Sequence, residues 1–109
     1  MNQSLFSTLN YYTHSPSQFP PVICGKIYRY FNATKIFDPY AGWGDRCLAA
    51  MALDIDYIGV DCNTNLLEPY RKMINYYQTS NVSFHNKRSE DMDISKLDFD
   101  FVLTSPPFW

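Results

Sequence analysis

The residues with chemistry to offer fall in four clusters. Asp38 opens the string Asp38-Pro39-Tyr40-Ala41-Gly42-Trp43-Gly44-Asp45-Arg46, and Asp61 ends an apolar run. Ser89-Glu90-Asp91 follows a basic pair, and Ser105-Pro106-Pro107-Phe108 ends a second apolar run. Gly42 and Gly44 let a backbone turn tightly and approach a ligand with no Cβ in the way. Asp61 lies 23 residues beyond Asp38, near the roughly 20-residue offset at which an acid accepts hydrogen bonds from ribose hydroxyls in dinucleotide folds. A ribose-bearing ligand is the natural candidate.

The details of the string narrow the ligand. Dinucleotide binding calls for a third glycine, but Gly42-Trp43-Gly44-Asp45-Arg46-Cys47 has none and carries an acid where a pyrophosphate would approach. No Lys-Ser/Thr pair follows to make a phosphate loop. What fits is an adenosine ligand without phosphates and with a positive centre that Asp38 and Asp45 attract. The sulfonium and ammonium groups of S-adenosylmethionine (SAM) match that description. Tyr40 and Trp43 read as packing residues or as walls of the same pocket. Arg46 reads equally as a surface ion-pair residue or a functional one. His14 and His85 are isolated and read as structural, with no metal site, and Lys87-Arg88 as a solvated loop.

Elements of regular structure must hold these clusters. An amphipathic helix is predicted from about 21 to 31, with Val22, Ile23, Ile27, Tyr30 and Phe31 at helical spacing. Lys35-Ile36-Phe37-Asp38 reads as a strand, residues 47 to 53 as a helix rich in Ala and Leu, and Tyr57 to Asp61 as a second strand. Leu66, Leu67, Tyr70, Met73, Ile74 and Tyr77 trace one face of a helix over about 65 to 78, with Pro69 in its early turns. Val82 to His85 is a third strand, 87 to 96 is irregular, and Phe99 to Thr104 is a fourth strand. Strands alternating with helices imply right-handed crossovers and a parallel sheet with helices on its faces. Ligands of such sheets bind beyond the carboxyl ends of the strands, and all four clusters lie at such ends.

Composition sets the outer bounds. A chain of 109 residues, 46% hydrophobic and 18% charged, suits a folded domain and not a disordered one. No apolar run is long enough to span a membrane and Met1-Asn2-Gln3-Ser4 does not open a signal peptide, so a cytoplasmic location is expected. Cys24, Cys47 and Cys62 are widely spaced and read as reduced, mostly buried thiols. The net charge of −2 weighs against nucleic-acid binding, because phosphate contacts need Lys and Arg. Any basic surface is expected to lie outside these residues.

Two strings carry a family resemblance. Asp38 through Arg46 resembles the first SAM-binding motif of DNA amino-methyltransferases, in the Gly-Trp-Gly variant of some phage and bacterial enzymes. Leu103-Thr104-Ser105-Pro106-Pro107-Phe108 is similar to their catalytic motif, Asp/Asn/Ser-Pro-Pro-Tyr/Phe, and resembles the N4-cytosine enzymes most, with N6-adenine enzymes sharing the motif. The resemblance covers about residues 19 to 109. Residues 1 to 20 then form an N-terminal arm, and 21 to 109 the SAM-binding half of a Rossmann-like class I methyltransferase domain, with a parallel sheet in the order 3-2-1-4 and flanking helices, truncated after the fourth strand.

The resemblance implies a division of labour. Asp38, Tyr40, Gly42, Gly44 and Asp61 would bind SAM, with Ser89 and Asp91 as candidates for the adenine contact, although Lys87-Arg88 stands where the family often has a Gly-Asp pair. An exocyclic amino nitrogen is a poor nucleophile because its lone pair is delocalised into the ring. The Ser105 hydroxyl and Pro106 carbonyl would accept hydrogen bonds from it and localise that pair, Pro107 would help to fix the backbone, and Phe108 would stack on a base flipped out of the duplex. DNA is the implied partner. RNA is a lesser alternative, since RNA amino-methyltransferases share an Asn/Asp-Pro-Pro-Tyr motif. The remaining strands would belong to a longer chain or to a second one, and a non-catalytic SAM- or adenosine-binding module is the reading from outside enzymology.

Overall fold

The computed structural model describes residues 20–105 of the chain. Helix α1 (Pro21–Tyr30) leads into strand β1 (Lys35–Asp38), then come helix α2 (Asp45–Ala52), strand β2 (Asp56–Val60), helix α3 (Leu67–Tyr77), strand β3 (Val82–His85) and strand β4 (Phe101–Val102). The sheet is all-parallel, as the alternation of strands and helices predicts, and its order is β3-β2-β1-β4, as the family resemblance implies. The architecture is α/β and compatible with a Rossmann-like fold. Residues 1–19 of the expected 1–20 arm, and Pro106, Pro107 and Phe108, lie outside the described residues.

Register explains how the core forms. Val82, Tyr57, Ile36 and Phe101 stand side by side across the four strands, and side chains in one such row share a face of the sheet. On that face they meet Cys24 and Tyr28 of α1, Tyr70 of α3 and the whole Cys47–Ala52 run of α2 in one apolar cluster. The small side chains of Ala49, Ala50 and Ala52 let α2 come close to the sheet. Tyr70 stacks on Phe84 with ring centroids 4.1 Å apart, tying α3 to β3.

Strand β2 is shifted by one residue and the helices differ from expectation by one or two residues at several ends, and two of the differences have a visible reason. Helix α2 begins at Asp45, two residues before the apolar run, because Gly44 at φ 104° turns the chain into it and Asp45 supplies an acid to the first turn. Strand β4 is two residues long, not six, because side chains replace the ladder bonds at both its ends. The Asp100 carboxylate accepts from the Thr34 and Lys35 N–H groups at 3.1 Å. At the other end Thr104 Oγ1 takes the Tyr40 N–H at 3.0 Å.

Candidate functional site

At the carboxyl end of β1, Asp38 is fully buried and its carboxylate is surrounded by donors. Oδ2 accepts from Arg46 Nε at 2.7 Å and from the Tyr57 hydroxyl at 2.6 Å. Oδ1 accepts from Thr104 Oγ1 at 2.6 Å and from the Tyr40 N–H at 3.3 Å. A carboxylate has about four lone-pair sites, so these four donors use its capacity. Asp38 therefore organises the site from beneath, and its charge is met by Arg46 and not by a ligand.

Arg46 is neither a surface ion-pair residue nor a group at the ligand face. Its side chain is 5% exposed, and beyond Asp38 it donates through Nη2 to the Tyr40 and Ala41 carbonyls at 2.7 and 3.0 Å. Those bonds fix the first half of the glycine loop. Burial pulls the pKa of the guanidinium down, but the charge and hydrogen bond of Asp38 more than reverse that and leave it above its ordinary value. Burial and the same carboxylate push the Tyr57 hydroxyl well above its usual range, so it stays a donor. Tyr57 reaches Asp38 by leaning over Gly59, where an added Cβ would stand 2.7 Å from Cε1 of its ring.

Above this base the loop is pinned from the other side by Asp61. Its Oδ2 accepts the Gly42 N–H at 3.0 Å and its Oδ1 the Asn63 N–H at 2.9 Å, while the Asn86 amide holds the Asp61 and Asn63 carbonyls at 2.9 and 3.1 Å. Gly42 turns at φ 62°, a left-handed conformation that favours glycine. The Tyr70 hydroxyl donates to its carbonyl at 3.0 Å. Each oxygen of Asp61 keeps a lone pair after these bonds, and the side chain is half-buried.

A cleft of about 560 Å³ opens here, lined by Tyr40, Gly42, Asp61, Ser89, Ser105 and neighbours that include Cys62, Arg88 and Glu90. Its size lies within the roughly 300–1,000 Å³ range of small-molecule sites. Five of the residues singled out in the sequence thus meet in one place. Gly44 does not line this cleft; it packs under α3, where an added Cβ would stand 3.4 Å from Met73 Cε. Asp91 is exposed and lies 3.7 Å from Arg88 Nε, whereas Ser89 lines the cleft.

No family model matches this chain, and no curated protein matches it. Sequence reasoning missed Tyr57, Thr104 and Cys62, and left Arg46 undecided. Cys24 and Cys47 are buried as expected, but Cys62 is exposed at the cleft. Among the described residues no group of His, Cys, Asp and Glu is placed to hold a metal, and no helix is long and apolar enough to cross a membrane.

Proposed function

We propose that this chain binds SAM in the cleft between Gly42, Asp61 and Ser89 and presents Ser105 to the exocyclic amino group of a DNA base, N4 of cytosine or N6 of adenine. The observation that carries this reading is the meeting of two distant motifs. Thr104 bonds both Asp38 and Tyr40, and Ser105 lines the same cleft as Gly42 and Asp61. A cofactor seated on the glycine loop and a target at Ser105 would therefore share one space.

The residues present fit an adenosine ligand. The lone pairs left on Asp61 can accept ribose hydroxyls, and the close approach at Gly42 leaves room for the ligand over the loop. Arg88 at the rim is engaged by Glu90 at 3.3 Å and by Asp91, so the cleft offers no uncommitted cation for a pyrophosphate. Bound SAM would supply an electrophilic methyl group. On this chain's side, the Ser105 hydroxyl oxygen would accept a hydrogen bond from the amino group and hold its nitrogen lone pair toward the methyl. Preorganised acceptors of this kind act by positioning and electrostatics.

Cys62 gives a direct test of where SAM sits. SAM and S-adenosylhomocysteine should slow alkylation of Cys62 by iodoacetamide, while ATP should not. Equal alkylation rates with and without SAM at millimolar concentration would contradict the assignment.

A further inference from the structure

A second and larger cleft, about 720 Å³, lies on the other side of the glycine loop, between that loop and α3. Trp43, Lys72, Met73, Asn75 and Tyr76 are among the residues that line it. The two rings are 68% and 74% exposed. Neither belongs to the apolar core cluster, and exposed rings that line one cleft make an apolar patch of the kind that marks interaction sites. Gly42 at φ 62° and Gly44 at φ 104° flank Trp43 in the turn.

Charge selects the occupant. Acidic residues outnumber basic ones in this chain, 11 to 9, yet no carboxylate lines this cleft, and its one charged side chain is Lys72. Lys72 is in no ion pair within 4.0 Å among the described residues; the Glu68 carboxylate is held by Arg71 at 2.6 Å and feels the Lys72 charge from farther off. A flat ring to stack on, a cation for a phosphate and the Asn75 amide for a base edge are the parts of a nucleotide site. A groove for an apolar peptide would have no use for Lys72.

We propose that the cleft between Trp43 and Tyr76 is a stacking site for one nucleotide of a single-stranded nucleic acid, with the base against the aromatic rings and its phosphate at Lys72. The proposal shares with the methyltransferase reading only the choice of nucleic acid as partner. Gly42 lines the first cleft and Gly44 the second, so a strand held at Trp43 would lie next to the loop that borders Ser105. A nucleotide held outside the first cleft would give the chain a grip on its strand that does not depend on SAM.

The test uses the Trp109→Phe chain, in which Trp43 is the remaining tryptophan, titrated with a short oligothymidylate in the absence of SAM. Saturable quenching of Trp43 fluorescence that weakens as salt is raised is the expected result. Tyr76→Ala should weaken binding about tenfold, within the range for loss of one stacked base, and Lys72→Ala should reduce the salt slope by about one. Circular dichroism of both variants should match the parent. Three outcomes overturn the proposal: no quenching in a folded chain, quenching unaffected by both substitutions, or quenching by an apolar peptide but not by the oligonucleotide. SAM binding measured separately would be untouched by any of them, so the two readings fail independently.

Discussion

Thr104 and Asp38, 66 positions apart, are joined by a 2.6 Å hydrogen bond that brings the end of β4 onto the glycine loop. The same hydroxyl oxygen accepts the Tyr40 N–H at 3.0 Å. One side chain thus sets the distance between Ser105 and the residues that border the cleft. Without it, the end of β4 would be held to β1 by the two register pairs Ile36 with Phe101 and Phe37 with Val102.

Thr104→Val keeps the shape and removes both bonds. It should lower the free energy of unfolding by about 1–3 kcal/mol, the cost of leaving a buried acceptor without its donor. Thr104→Ser should restore most of that loss. Urea denaturation of the three chains checks it, and a Val variant as stable as the parent with a Ser variant weaker than both would show that packing of the methyl group, not the hydroxyl, matters here.

Arg46 and Asp38 form a buried pair whose members cannot be removed singly at low cost. Arg46→Met should destabilise by about 3–5 kcal/mol, because the Asp38 carboxylate would lose its counter-charge. That is a large share of the roughly 5–15 kcal/mol typical of a domain. Adding Asp38→Asn to Arg46→Met should recover part of the loss, and a double-mutant cycle by denaturation measures the coupling. Strictly additive effects would contradict the pairing.

Stability should fall on the alkaline side. Burial pushes the Cys24 thiol from an ordinary value of 9.0 up to about 12 and raises Cys47 as well. Burial likewise raises the hydroxyls of Tyr28, Tyr57 and Tyr70 above their usual 10.0. These groups keep their protons in the folded chain, while the unfolded chain releases them from about pH 9 upward. The unfolded state then binds fewer protons, so stability is full below pH 9 and declines as pH rises toward 12. Urea midpoints at pH 8, about 9.5 and about 10.5 should drop in that order. A flat profile would mean that these side chains are open to water.

Much of this fold was legible in the sequence, and the site was legible in part. The alternation of apolar strands with helical faces pointed to a parallel sheet, because each helix carries the chain back to start the next strand in the same direction, whereas the order 3-2-1-4 came from the family resemblance. Gly42, Asp61, Ser89 and Ser105 announced themselves by lying at strand ends. The partners of Asp38 did not, since Tyr57 and Thr104 reach it only through the register that sets Ile36 beside Tyr57 and Phe101. Gly59 was equally silent, although its missing Cβ is what lets the Tyr57 ring cross to Asp38. One signal was present for Arg46. It opens a helix whose next six residues, Cys47 to Ala52, are all apolar and all buried, and an arginine there needs a buried partner for its charge.

Calorimetric titration of the purified chain with SAM measures directly whether the proposed site at Gly42 and Asp61 binds the cofactor. Saturable binding at micromolar concentration, lost in Asp61→Ala while circular dichroism shows the variant folded, is the predicted result. No heat of binding from a folded chain, or equal affinity in Asp61→Ala, would contradict it.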